Sequence, residues 1–229
     1  MHERLVSRIL PIAAISGALL VLFGTWLHPM EADPNIALEA FAEYAADEHW
    51  VASHLIVLFG FILITAAFVL LSRGMAAGPG AAWAALGLAG AVASLAVLAA
   101  LQAVDGIALK VMVDSWAAAA EPERTALFQA AFAVRQVEIA LASIGLLLFG
   151  LTVAMYGTAL LVDRRFPRSI GAFALAAVVP ATAAALVLAY TGFSGLFMAI
   201  SMPSSFLLLS WVTALGIYVS RRPALMLVG

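Results

Sequence analysis

Six long apolar runs, separated by short polar breaks, set the architecture of this chain. They cover roughly 9–28, 50–72, 81–109, 136–162, 169–191 and 204–220. At about 1.5 Å per helical residue, runs of this length cross about 30 Å of hydrocarbon. The runs are continuous rather than alternating, and Ala and Leu dominate them, which predicts helices and not barrel strands. The breaks carry turn and stop signals: His28-Pro29, Gly78-Pro79-Gly80, Pro167, and Pro203 as an expected helix start. Pro11 lies early enough in the first run to be tolerated, whereas Pro180 inside the fifth predicts a kink. The expected fold is an all-α integral membrane bundle of six transmembrane helices, forming one domain over residues 1–229.

Polar stretches between the runs have patterns of their own. In 29–49, Leu38, Phe41 and Tyr44 recur every three residues, as on one face of a short interfacial helix. In 110–135 a second such helix is expected to open at EPERTALFQAAF, with Pro122 near its first position and Glu121 and Glu123 at its positive end. A faint repeat runs through the same region. Shifting by 90 residues places Glu48 on Glu138, Ala52-Ser53 on Ala142-Ser143 and Leu58-Phe59-Gly60 on Leu148-Phe149-Gly150. A true duplication would make spans 1–2 and 3–4 parallel repeats.

Composition supports the membrane assignment. Of 229 residues, 65% are hydrophobic and 10% charged, with mean hydropathy +1.10, against about 25% charged in soluble domains. A net charge of −2 gives no sign of a nucleic-acid partner. The chain has no cysteine, which excludes disulfides, thiolate-ligated zinc and iron–sulfur clusters. The basic start and apolar centre of the first 30 residues resemble a signal peptide. The run is too long, however, and no A-x-A-like site follows, so a retained span is expected. Ala-rich spans with ten Arg against one Lys suggest a bacterial or archaeal source of high GC content.

Basic residues give the orientation. With the N-terminus inside, Arg4, Arg8, Arg73, Arg164, Arg165, Arg168, Arg221 and Arg222 are cytoplasmic, and only Lys110, Arg124 and Arg135 lie outside. The positive-inside rule therefore puts both termini in the cytoplasm of a cell whose inner or plasma membrane holds the chain. Eleven of the thirteen acids then lie outside, leaving Glu3 and Asp163 inside.

In this frame the polar residues gather at the outer end of four different helices. His28 closes span 1, His49 and His54 flank the start of span 2, Gln102 and Asp105 lie late in span 3, and Arg135 and Glu138 open span 4. Gln102 and Asp105 are three apart on one face, as are Arg135 and Glu138. Ionisable groups in a span are costly and face a bundle interior or a wet cavity. An outward-facing polar pocket at the top of spans 1–4 is the expectation, with spans 5 and 6 as packing or as an interface to another copy or a larger membrane complex. Arg135 or Lys110 is expected to neutralise Asp105 or Glu138, so that Glu138→Ala should destabilise the protein. Trp26, Trp50, Trp116 and Trp211 lie near predicted span ends and read as aromatic-belt anchors. Trp50, four residues from His54, is also placed to roof the pocket, while His49 stays at the water boundary.

Several chemistries fit such a pocket. His28 and His54 on neighbouring antiparallel spans could ligate a metal or a haem b, with Gly17 and Gly24 leaving room for a flat ring. Met30, Met112, Met198 and Met202 fall on the same side and would suit copper. Gln102, Asp105, Arg135, Glu138 and Trp50 could bind a small ligand. His54 with Glu138 or Asp105 could act as acid–base partners of an enzyme on an amphiphilic substrate, although no G-x-S-x-G, H-E-x-x-H or P-loop is present. Six spans with both ends inside and an outward pocket also resemble, in layout, the substrate-capture subunits of vitamin transporters. That resemblance implies capture of a small molecule. A structural subunit of a membrane complex, its pocket filled by lipid or a partner, is the remaining class.

Overall fold

A computed structural model describes residues 2–222, with side chains from residue 8. The side chains of Glu3 and Arg4, and everything from residue 223 onward, lie outside the described residues. The described chain is helical and carries no strand: α1 (His2–Leu27), α2 (Ala37–Ala46), α3 (Trp50–Met75), α4 (Ala81–Ala103), a π-helical segment (Val104–Leu109), α5 (Lys110–Ala118), α6 (Glu123–Val162), α7 (Arg168–Thr191) and α8 (Gly195–Arg221). Six stretches are long and apolar enough to cross a membrane, Ala81–Ala118 counting as one. This is a multipass membrane protein.

The six spans form a closed ring. α1 packs on α3, α3 on α4, α4 on α6, α6 on α7, α7 on α8, and α8 returns to α1. Short connections at 76–80, 119–122, 163–167 and 192–194 favour the antiparallel pairing of the consecutive spans they join. At the centre Phe68 of α3 stacks on Tyr156 of α6 at 4.7 Å, and Trp211 of α8 lies 5.9 Å from Phe68. The Tyr156 hydroxyl reaches the Phe68 carbonyl at 3.0 Å and Ser72 at 2.7 Å. Each buried polar group here has its partner, as an apolar interior requires. Spans 5 and 6, α7 and α8, are thus integral to the bundle core.

Two helices are longer than the apolar runs. The third continues through the π segment to Ala118, and the fourth starts at Glu123, so only 119–122 connect them. The 40 residues of α6 reach about 60 Å, twice the hydrocarbon thickness. Its first turns and α5 therefore stand beyond the span and trap α2 against them. Phe41 and Tyr44 of α2 pack with Trp50, Leu109, Val113, Trp116 and Ala131 in a second apolar core. This cap corrects the aromatic-belt reading. Trp26 is exposed, but Trp50, Trp116 and Trp211 are buried, because the cap and the bundle centre take their rings.

α8 also begins earlier than expected. Ser194 caps it, its Oγ accepting from the Phe197 N–H at 3.3 Å, and Pro203 lies within the helix rather than at its start. α7 likewise runs through Pro180. In the repeat, Gly60 packs against Gly17 and Val21 of α1, whereas its counterpart Gly150 faces Val178 and Thr182 of α7.

At the opposite end from the cap, the α6–α7 turn is closed by Asp163, whose side chain is buried. The Arg165 guanidinium donates to it at 3.0 and 2.6 Å. That hydrogen bond, helped by the Arg165 backbone N–H and opposed by burial, holds the Asp163 carboxyl below its ordinary value of 3.8. A depressed carboxyl stabilises the fold fully above its unfolded pKa and loses that contribution as pH falls through the lower folded value. Asp163→Asn should therefore lower the melting temperature at neutral pH and leave a flatter acid limb below pH 3.8, read by thermal melts in detergent.

Candidate metal centre

The site is built where the bundle meets its cap. α3 starts at Trp50, so Trp50 and His54 stand one turn apart on the face turned to α1. α1 ends at Leu27, and His28 follows with its ring against both: 4.5 Å from Trp50 and 5.1 Å from His54 between centroids. Trp50 itself is held between Tyr44, at 4.1 Å, and His54, at 4.7 Å. Close approach of α1 and α3 makes this possible. A Cβ on Gly24 would lie 2.7 Å from the Ser53 carbonyl oxygen. Gly17 and Gly24 thus admit the α3 backbone, and the space expected for a flat ring is filled.

Asp105 comes from the π segment. Its Oδ2 lies 3.0 Å from His54 Nε2, and its backbone carbonyl accepts the Trp50 indole N–H at 3.0 Å. Single-turn π segments inside α-helices recur at functional sites. Here the wider turn brings Asp105 and Gly106 onto the α3 face, and Gly106 gives the ring its room. A Cβ there would overlap that of His54 and come within 2.7 Å of its Cγ. Gly106→Ala should cost about 1–3 kcal/mol through overpacking and push His54 off Asp105. A melting curve and loss of metal binding in the same variant would check both parts.

Both histidines are oriented by main-chain acceptors. His54 Nδ1 lies 2.7 Å from the Trp50 carbonyl, which also accepts from Ser53 Oγ at 2.7 Å. His28 Nδ1 lies 2.9 Å from the Pro29 carbonyl. An Nδ1–H committed to a carbonyl leaves Nε2 as the lone-pair nitrogen, the tautomer a metal needs. His54 Nε2 then faces a carboxylate oxygen, an arrangement that requires a proton or a cation between them. One ligand atom each from His28, His54 and Asp105 lies within 4.8 Å of the others.

These residues line a cavity of about 270 Å³ together with Trp50, Gln102, Arg135 and Glu138. All seven sequence-derived candidates therefore face one space. His54, Gln102, Arg135, Glu138 and Trp50 are buried there, while His49 is exposed and caps α3. The cavity is not confined to spans 1–4. Phe193 of the α7–α8 turn and Phe197, Met198, Ser201 and Met202 of α8 close its far side, which is the consequence of α8 starting at Gly195. Met30 also lines it, whereas Met112 packs in the cap.

The expected ion pair of Arg135 or Lys110 with Asp105 or Glu138 does not form. Arg135 donates to the Tyr44 hydroxyl at 3.1 Å and the Pro34 carbonyl at 2.8 Å, among the rings of Phe41, Tyr44 and Phe193. Lys110 donates to the Tyr44 and Ala45 carbonyls and to Asp114. Both cations clamp the cap, because the C-terminal carbonyls of α2 and the 29–36 segment offer them acceptors first. Burial pushes the Tyr44 hydroxyl up to about 12 against the pull of Arg135, so it stays a neutral phenol. Glu138 Oε2, Asp105 Oδ1 and Gln102 Oε1 are left buried without a hydrogen-bond partner. Three acceptors on one cavity thus lack the donor that a buried polar group ordinarily has.

Sequence reasoning named Met198 and Met202 but missed the π segment, the place of Tyr44 at the site, and Phe193, Phe197 and Ser201. Only Gly106, next to an acid within an apolar run, hinted at the first. Among protein-family models, curated proteins and solved structures, none matches this chain.

Proposed function

We propose that this chain is a metal-binding protein of the inner or plasma membrane, with both termini cytoplasmic and the site opening outward. The ion is a divalent first-row transition metal, zinc above all, ligated by His28, His54 and Asp105. The observation that carries this reading is the set of three ligand atoms within 4.8 Å. Two imidazoles and a carboxylate form a donor set of the kind used by catalytic zinc, which leaves a further position open to water or ligand. Glu138, its Oε2 unpartnered on the same cavity, is placed to receive a proton from whatever occupies that position. A haem fits less well, since the two imidazoles pack on each other and on Trp50 with the α1–α3 gap closed. Copper is the second reading, favoured by Met30, Met198 and Met202 on the cavity wall.

Zinc should raise the melting temperature of chelator-treated protein, by a free energy of about 2.7 kcal/mol at a hundredfold excess over Kd. A His28→Ala variant should show no such rise; an equal rise in that variant would refute the assigned ligands. Copper(I) stabilising the protein where zinc does not would select the second reading. Orientation is tested by single cysteines at Ala77 and Ala119 in this cysteine-free chain. An impermeant reagent on intact cells should label Ala119→Cys alone, and labelling of Ala77→Cys alone would reverse the topology.

A further inference from the structure

Directly below the metal cavity lies a second, larger one of about 570 Å³. The two share His28, Met30, Gln102, Val57, Phe197 and Met202 on their walls, so they adjoin. Its walls are mostly apolar, with Leu98 and Leu101 from α4, Leu146 and Phe149 from α6, Leu188 from α7 and Leu209 from α8. A polar ligand filling it would lose its water and gain few partners beyond Thr25, His28, Gln102 and Ser205. An alkyl or isoprenoid chain would lose nothing.

The lower cavity also reaches the perimeter of the bundle. α1 and α8 meet tightly lower down, where a Cβ on Gly216 would lie 3.2 Å from the Ala14 Cβ. Nearer the cap, Leu22 and Trp26 of α1 and Met202 and Phe206 of α8 line the cavity yet stay 37%, 77%, 48% and 62% exposed. The space therefore opens sideways between these two helices, at a level that belongs to the apolar span of α1. What lies outside such an opening is bilayer, not water.

One polar group marks the junction. Gln102 is 7% exposed, lines both cavities, and its Oε1 has no partner. A buried amide oxygen without a donor is unfavourable, and a hydroxyl or amide N–H at the top of an inserted chain would supply that donor.

We infer that the ligand of this site is a single-chain amphiphile from the bilayer, which passes between α1 and α8, lays its chain in the lower cavity and brings a hydroxyl- or amide-bearing head to Gln102 and the His28–His54–Asp105 cluster. The place of the head rests on the metal reading above; the place of the chain does not. The cavity volume is that of a pocket for a drug-sized molecule, which suits one chain rather than the two of a phospholipid.

The test uses the full chain in bilayer nanodiscs and a photoreactive, clickable hexadecanol. Label should concentrate on the peptides carrying Leu98–Leu101 and Ala142–Leu146, be displaced by excess plain hexadecanol, and be lost in Ala142→Trp, which fills the cavity. Ser205→Trp, at the exposed mouth, serves the same purpose should the first variant fail to fold. Label spread over outward residues such as Phe59 and Val179, and unchanged by either tryptophan, would overturn the inference. Repeating the labelling with and without zinc separates the two readings. Cavity labelling in a protein that binds no metal would sustain the chain site while removing the metal. Metal binding with perimeter label alone would do the reverse.

Discussion

His54→Ala should abolish metal binding and unsettle the fold. The imidazole bridges α3 to the π segment through Asp105, and both groups are largely buried, at 5% and 16% side-chain exposure. Removing one partner of such a pair strands the other, a loss of about 3–5 kcal/mol in a buried setting. Metal affinity should fall by more than about 100-fold, since even partners outside the ligand shell are worth 10–100-fold. Thermal melts in detergent, with zinc and with chelator, would show both effects. Asp105→Asn keeps the shape of the contact and can still hydrogen-bond to the ring. It should recover much of the stability but not the metal affinity, and that difference separates ligation from packing.

Glu138→Gln is expected to move the two readouts in opposite directions. Glu138 is 4% exposed, Oε2 has no partner, and Arg135 hydrogen-bonds to Tyr44 and Pro34 rather than to Glu138. Arg135 acts on Glu138 through its field but forms no ion pair with it, so no hydrogen bond is broken when this carboxyl goes. An amide is neutral and less costly to bury, so the metal-free protein should melt at the same temperature or higher. Metal or ligand affinity should fall by about 10–100-fold, as for other partners that surround a bound ion. A large loss of stability in the chelated protein would mean that Glu138 has a cationic partner after all.

The span count and the gathering of polar residues at one end were legible because hydropathy and charge report on the membrane directly. Helix ends were less so. Lys110, Glu123, Arg124 and Arg135 interrupt the apolar runs but not the helices, since charged residues are good helix formers once clear of hydrocarbon. The start of α6 was therefore read as a separate short interfacial helix, and α5 as part of the connection, rather than as continuations of the two spans. The fates of Trp116 and Arg135 follow from that one misreading: a tryptophan expected at the lipid interface fills the cap, and an arginine expected to pair with an acid pins α2. Gly24 was visible but ambiguous, because a small residue can leave a space or let a neighbouring backbone fill it. Only the position of Ser53 decides between them. The π turn at Val104–Leu109 has no composition of its own, so the meeting of Asp105 with His54 could be anticipated in depth but not in geometry.

The most direct measurement is the metal content of the purified chain after equilibrium dialysis against zinc, by elemental mass spectrometry, beside His28→Ala, His54→Ala and Asp105→Asn. The account predicts one ion per wild-type chain and a large loss in each variant. Wild-type protein with no bound ion, or variants that retain it at the same stoichiometry and affinity, would contradict the metal centre.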